Sequence, residues 1–354
     1  MSRRLLITGG AGFIGSTLLK QLAPSDKVLV VDNLHPQVHS VDHWSADSPA
    51  RVEFLQGDIT DPDVVDRAAR FKPHTLVHLA AETGTGQSLL QSSRHASVNV
   101  NGTATLLDAI SGSGWMPDRM ILTSSRAVYG EGKWQHLDGS TYYAPPRRVE
   151  HLASARWEPV DKNGAAGTPL PQDARTVEPR PSNIYAATKL AQEHLMSAWC
   201  SALGVDLCIL RLQNVYGPGQ SVKNSYTGVL TYFARQAIAN EQIRVFEGGN
   251  IIRDFVHVSD VARTIRNAID ARGSLEDRFD VGSGRSTTLL DVARQIAEIA
   301  GAPEPHVTNE YRLGDVRAAS ADVTRARDVL GHSSSVTLVA GLSQVLDWVE
   351  KELP

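Results

Sequence analysis

Cysteine is scarce: the 354 residues contain two, Cys200 and Cys208, too few for a disulfide framework. They fall in an expected helix and an expected strand without metal-ligand spacing, so both read as reduced core thiols. Positive charge is not in excess either, since 35 Lys and Arg against 39 Asp and Glu leave a net charge of -4. No basic field exists to attract nucleic acid. Long apolar runs are missing as well: none approaches the ~18 residues of a membrane span. The opening Met1-Ser2-Arg3-Arg4-Leu5-Leu6-Ile7-Thr8 has too short an apolar stretch for a secretory signal. A cytoplasmic protein with no membrane attachment is expected. The 12 histidines are scattered, and the one evenly spaced set, His35, His39 and His43, is interrupted by Pro36 and Ser40. That favours a surface loop over a metal-binding helix, and no metal is expected.

What the chain does have begins with glycine. A short apolar strand at residues 4–8 runs into Gly9-Gly10-Ala11-Gly12-Phe13-Ile14-Gly15, followed by a helical pattern over 16–22. Strand, glycine turn and helix together form a dinucleotide site: Gly9 and Gly12 let the backbone turn towards a pyrophosphate, and Gly15 lets helix and strand pack closely. Phe13 and Ile14 belong to the same candidate cofactor turn. A second strand, Lys27 to Val31, ends in Asp32 and Asn33, about 17 residues past Gly15 and near the ~20 usual for the ribose-binding acid. A carboxylate there accepts from a 2'-hydroxyl and repels a 2'-phosphate, so NAD is expected rather than NADP. A third strand at 52–55 sets Asp58 and Ile59 beside the adenine, and a fourth, 75–81, ends in Leu79-Ala80-Ala81, against which a cofactor can lie.

Residues 88–110 read as one long helix that contains Asn99 and Asn101, both unfavourable inside a helix, so at least one needs a partner. The fifth strand, 119–123, delivers Ser124-Ser125-Arg126 to the carboxyl edge of the sheet, where ligands sit in open α/β folds. Prolines and glycines from 131 to 180 forbid regular helix, and a connection this long is a cover over a substrate or a surface excursion. Then comes Asn183-Ile184-Tyr185-Ala186-Ala187-Thr188-Lys189, a helix start with Tyr185 and Lys189 on one face. A tyrosine keeps its proton to about pH 10, and a lysine cation nearby stabilises the phenolate. Tyr185 is therefore the candidate proton carrier.

A sixth strand spans 206–212; helices follow at 226–240, at 261–271 with Ser259 or Asp260 as cap, and near 338–353. Alternation of strand and helix through residue 212 predicts an α/β doubly wound parallel sheet over 1–212, interrupted by the 131–180 insertion. A smaller, α-rich second domain covers 213–354 and carries Arg253, Arg312 and Arg317, whose forked guanidinium groups suit a diphosphate.

With the glycine turn, Asp32, Ser125, Tyr185 and Lys189 assembled, and with Asn99-Val100-Asn101-Gly102-Thr103 and Arg253-Asp254-Phe255-Val256-His257-Val258-Ser259-Asp260, the chain resembles the extended short-chain dehydrogenase/reductase family. The likeness lies in its NAD-dependent nucleotide-sugar epimerase/dehydratase branch and covers nearly the whole length. It implies a Rossmann fold, bound NAD, and Ser125, Tyr185 and Lys189 as the catalytic triad, with Asn99 on the nicotinamide side. It also implies a nucleotide-sugar site that includes Thr83, Ser125, Arg126, Asn214, Arg253, Arg312 and Asp315, a return of 251–271 to the cofactor half, and a homodimer through a bundle of four helices. Within the branch, Glu82-Thr83-Gly84-Thr85-Gly86-Gln87-Ser88 and Ser124 to Gly132 are most similar to dTDP-L-rhamnose 4-epimerases. The 4,6-dehydratases carry Asp-Glu directly after the catalytic hydroxyl residue; here Arg126 and Ala127 occupy those places, so epimerisation is expected over loss of water. UDP-hexose or UDP-uronate epimerisation, 4,6-dehydration and a non-catalytic NAD-binding regulator are the alternatives.

Overall fold

The computed structural model describes residues 3–39, 44–222, 228–275 and 277–353. Its centre is a seven-stranded sheet in the order Asp277–Val281, Asp206–Leu212, Arg119–Ser125, Thr75–His78, Arg4–Thr8, Lys27–Asp32, Arg51–Gln56. Every neighbouring pair is parallel. Runs such as Leu5-Leu6-Ile7 and Met120-Ile121-Leu122 are fully buried, as required of strands covered by helices on both faces. Side chains alternate across the sheet. Leu5 and Ile7 join a core with Leu18, Val261 and Ile265, whereas Leu6 joins one with Leu106, Ile110 and Met196.

Three segments from beyond residue 212 complete the first of these cores. The helix Val258–Asp270, the edge strand Asp277–Val281 and the helix Thr324–Leu330 contribute Val261, Ile265, Phe279, Ala326 and Leu330. Residues 277–281 and 324–330 were expected in the second domain, but Phe279 and Val281 are apolar enough to be buried beside Asp206–Leu212. The α-rich remainder forms its own core from Phe233, Ile296, Leu342 and Val345, on the helices Val229–Ile238, Leu289–Ala300 and Leu338–Glu352.

Three local expectations change. The single helix over 88–110 is four pieces, Thr85–Leu90, Ser92–Ala96, a π-helical turn Ser97–Gly102 and Thr103–Gly112. The break falls at Gln91, whose backbone leaves the helical region (φ -131°), and the wide turn carries Asn99 inward. Such turns are frequent at functional sites. The helix at 258 is capped by His257, whose imidazole accepts the Ser259 N–H, so neither Ser259 nor Asp260 is the cap. The 131–180 insertion holds regular structure after all: Lys133–Gln135 pairs antiparallel with Thr141–Tyr143 and Thr168–Pro169, and Val149–Ala153 is a short helix. Strands of two or three residues are too short to leave a periodicity. Trp134, 1% exposed, anchors them, its indole donating to the Glu131 carbonyl at 2.8 Å. Among the described residues, no helix is long and apolar enough to cross a membrane.

The glycine turn is the tightest joint of the fold. A Cβ on Gly15 would lie 2.5 Å from the Gly10 carbonyl oxygen, and one on Gly9, whose φ is +70°, 2.6 Å from the Ala80 nitrogen. Neither backbone can yield without moving the first strand. Gly15→Ala is expected to cost about 1–3 kcal/mol, read from urea melts, and to remove the thermal stabilisation that added NAD confers on the parent protein.

Candidate active site

Ser125 is the last residue of its strand, and Tyr185 is the second of the helix Ile184–Leu203. The sheet edge brings them together. Ser125 Oγ accepts the Ala127 N–H at 3.1 Å, which turns the chain away at Arg126 and leaves the hydroxyl near enough to the Tyr185 phenol to lower its pKa. Asn183 starts the tyrosine's helix by accepting the Ala186 N–H at 2.9 Å, and Gly204 ends it in a left-handed cap. Loss of surrounding water raises the Tyr185 pKa above its ordinary 10; the Ser125 hydroxyl and the charge of Arg126 act against that rise.

Lys189, one turn along the same helix, is engaged by a neighbouring amide. Its ammonium, 3% exposed, donates to Gln192 Oε1 at 2.5 Å, and the cation that acts on the phenol is Arg126. Burial pushes Lys189 down to about 7, with Glu193 opposing. Gln192 is held in turn: its Nε2 donates to Thr103 Oγ1 at 2.9 Å and to His78 Nε2 at 3.2 Å. His78 Nε2 also lies 3.0 Å from Thr103 Oγ1, and its Nδ1 is hydrogen-bonded with Thr8 Oγ1 at 2.6 Å. His78 stays neutral, its pKa pushed down to about 3 by burial and then by Lys189. A second buried chain lies alongside. Glu193 accepts Ser124 Oγ at 2.5 Å and two Arg211 N–H groups at 2.9 and 2.7 Å; Arg211 stacks 4.7 Å over the Tyr129 ring, and the Tyr129 hydroxyl donates to Asp280. Strand end and helix are thereby locked in register. Sequence reasoning missed Gln192, Glu193 and His78; polar side chains on the buried face of a helix and inside a central strand were the signal.

On the cofactor side, Gly9 packs against Leu79 and Ala80. Both Asp32 oxygens accept backbone N–H groups, from Ala11 at 3.1 Å and Leu34 at 3.0 Å, and so fix the acid beside the glycine turn. Phe13 and Ile14 open the following helix, which starts at Phe13 rather than at 16. Asn33 donates to Asp58 at 2.8 Å; burial raises the Asp58 pKa, but hydrogen bonds from Thr60 and Asn33 outweigh it and leave it low. Ile59 is 4% exposed, and Ala81 is half-buried. Asn99 is differently occupied from the expectation. Its amide pairs with both backbone groups of Glu82, at 2.7 and 3.0 Å, and donates to Thr188 at 2.9 Å. No polar atom of that side chain is left without a partner, so it staples the Glu82-Thr83 loop to the tyrosine's helix. A bare glycine turn with a rigid acid at the second strand end fits the dinucleotide.

Opposite lies a cationic group. Arg126 Nε donates to Asn214 Oδ1 at 2.9 Å, and burial, then repulsion from Arg253, holds the Arg126 guanidinium down to about 9. Arg253 donates to Asp315 Oδ1 at 2.6 Å and to the Val316 carbonyl at 2.8 Å. Burial pushes Asp315 up, yet Arg253, Arg126 and the Val316 N–H together hold it below the ordinary carboxylate value. Arg312 stands apart and exposed, 5.6 Å over the Phe246 ring. Arg317 is 3% exposed and already engaged by Glu158 and the Glu247 carbonyl, so it is structural rather than free for a diphosphate. Among the described residues no cluster of His, Cys, Asp or Glu could hold a metal. His35 lies 3.2 Å from Arg94, His39 lies 3.6 Å from Asp32, and His43 is outside the described residues.

A parallel doubly wound sheet with a glycine turn at one strand end and a Ser-Tyr pair at another defines a nucleotide-dependent α/β enzyme. The chain belongs to the NAD dependent epimerase/dehydratase family, whose model matches residues 5–282, and its cofactor is NAD. It is similar to a dTDP-L-rhamnose 4-epimerase of Burkholderia thailandensis, 45% identical over 353 residues, 99% of this chain and 96% of that protein. Among solved structures it resembles the UDP-glucose 4-epimerase of Thermotoga maritima with UDP-glucose (TM-score 0.80, 27% identity, covering 99% of this chain and 100% of that one). It also resembles the UDP-glucose 4-epimerase of Thermus thermophilus complexed with NAD (TM-score 0.76, 28% identity, 99% and 100% covered).

A Lys189 pKa of about 7, against an ordinary 10.5, sets a pH dependence. In the ligand-free protein the ammonium is populated below pH 7 and lost above it. If Lys189 meets NAD as a cation, binding takes up a proton above pH 7, and affinity falls by at most about tenfold per pH unit between 7 and 9. Calorimetry in two buffers of different ionisation heat measures the uptake. Lys189→Met should bind NAD more weakly and lose the pH dependence.

Proposed function

We propose that the protein is an NAD-dependent 4-epimerase of dTDP-L-rhamnose, interconverting it with dTDP-6-deoxy-L-talose. The observation that carries this is that the fold sets Ser125 near Tyr185, with Arg126, not an acid, as the next residue. The 45% identity to a protein of that activity supports the choice of sugar.

Tyr185 takes the proton of the C4 hydroxyl while Ser125 holds the C4 oxygen. The chemistry NAD supplies when bound is reversible acceptance of the C4 hydride. Arg126 stabilises the phenolate side of the equilibrium, and Lys189, once drawn from Gln192, adds a second positive charge. After the C4 ketone turns in the site, Tyr185 returns the proton to the oxygen at the inverted centre. Arg253 and Asp315, with Arg312 and Asn214, hold the diphosphate and ribose; the sheet domain holds the cofactor. Elimination of water would need an acid and a base beside C5 and C6. A guanidinium bonded to Asn214 and the methyl of Ala127 supply neither. We place the enzyme in the cytoplasm as a homodimer. The exposed Leu89, Leu90 and Leu203 on the helices expected to form the bundle support that assembly.

Proton NMR of dTDP-L-rhamnose incubated with the NAD-loaded protein in D2O should show a second sugar of equal mass with no deuterium at C4 or C5. A 4-keto-6-deoxy product with deuterium at C5, formed from dTDP-glucose in a parallel incubation, would establish a dehydratase instead, and turnover of UDP-glucose or UDP-glucuronate alone would move the specificity. Tyr185→Phe is expected to lower kcat by about 10²–10⁴ while NAD affinity, measured by calorimetry, stays within a few-fold.

A further inference from the structure

The insertion is not tied to the sheet domain alone. Arg147, near its middle and with a side chain 4% exposed, reaches into the second domain. It donates to Glu131 Oε1 at 3.0 Å, to the Trp157 carbonyl at 3.4 Å, to both Glu247 oxygens at 2.5 and 3.2 Å, and to the Asp315 carbonyl at 2.9 Å. Glu247 is itself 1% exposed and has a left-handed backbone, φ 51°, a strained state for a residue with a Cβ and one that persists only where the surroundings enforce it. Two more ties reach the same segment. Glu131 Oε2 accepts the Arg317 N–H at 2.8 Å, and Glu158 accepts the Arg317 guanidinium at 2.6 and 3.0 Å. Residues 315–317 are thus gripped from the insertion at a carbonyl, an amide and a side chain. From the other side Arg253 binds Asp315 Oδ1 and the Val316 carbonyl.

We propose that Arg147 is a positioning residue through which the insertion sets the place of Asp315 and Arg253, and so the affinity for the nucleoside diphosphate part of the substrate. This rests on the reading of Arg253 and Asp315 as nucleotide-sugar ligands. Arg147 sits one residue away from that pair: its guanidinium holds the backbone of the residue whose carboxylate holds Arg253. Only a planar fork with several donors can serve Glu131, Glu247 and the Asp315 carbonyl together. Removing it leaves buried Glu131 without its ion-pair partner and Glu247 with Arg317 alone, at 3.7 Å, an imbalance that favours a shift of the segment. The strand end that carries Ser125 and the helix that carries Tyr185 are joined by other bonds, from Ser124 and Arg211 to Glu193 and from Tyr129 to Asp280, so the chemical step changes less than binding does.

The test compares parent, Arg147→Lys and Glu158→Gln by calorimetry with dTDP and with NAD as separate titrants, and by kcat and KM with dTDP-L-rhamnose. Arg147→Lys is expected to weaken dTDP binding and raise KM by about tenfold or more, with kcat within about threefold and NAD affinity within about twofold of the parent. Glu158→Gln, which cuts only the outer tie, should move dTDP affinity the same way by less. Unchanged dTDP affinity in Arg147→Lys overturns the inference, as does an equal loss of dTDP and NAD binding. Should Arg147→Lys not fold, Glu158→Gln decides: weakened dTDP binding supports the inference and parent-like binding overturns it. A parent protein that binds NAD but not dTDP would sink the nucleotide-sugar reading, a result distinct from any of these.

Discussion

A phenol taken out of bulk water holds its proton more tightly, and the surroundings of Tyr185 are arranged against that tendency. The Ser125 hydroxyl meets it from a strand end, and the Arg126 guanidinium stands one residue further on. Lys189, at the same time, is held on an amide. The phenol thus has one cation acting on it and a second on the same helix face, four residues along. Its reactivity depends on where those two charges sit.

Placing them requires that separate elements keep register to a fraction of an ångström, and buried polar chains do this. Glu193 is shared by Ser124 and Arg211, and Arg211 and Tyr129 carry the link to Asp280 on the edge strand. Gln192, His78 and Thr8 run from Lys189 to the residue before the glycine turn. Buried polar networks of this kind rigidify a core more than single pairs do, and here Arg211 Nη1 alone of the Arg211 nitrogens is left without a hydrogen bond. The insertion adds a third, in which Glu131, Glu247 and Glu158 surround Arg147 and Arg317. Nucleotide-sugar chemistry needs cations in the pocket, and here the cations that do not face it are neutralised by carboxylates.

Much of the frame was legible. Leu5-Leu6-Ile7 and Met120-Ile121-Leu122 announce strands covered on both sides, and Gly9 to Gly15 mark the turn between strand and helix. The strand Asp206–Leu212 lies where its residues predicted it. Ser125 and Tyr185 were named from separate stretches, and the fold sets them near enough for the serine to lower the phenol's pKa. Less visible was anything depending on two distant segments at once. Asp277–Val281 is Asp-Arg-Phe-Asp-Val, too charged to announce a buried strand, and only a free edge beside Asp206–Leu212 recruits it to the main sheet. Asn99 looked like a cofactor ligand, but the π-helical turn directs it to the Glu82 backbone.

By itself, then, the sequence determined the parallel sheet and the dinucleotide turn, because each is encoded in spacing along a few consecutive residues. Which partner each buried charge takes was decided by the tertiary structure alone. Arg211 on Glu193, Arg126 beside the phenol and Arg147 against Asp315 each join groups with no local pattern relating them. Their pairing follows from burial, which makes an unpaired charge costly and leaves its choice to whatever the packed chain brings within reach.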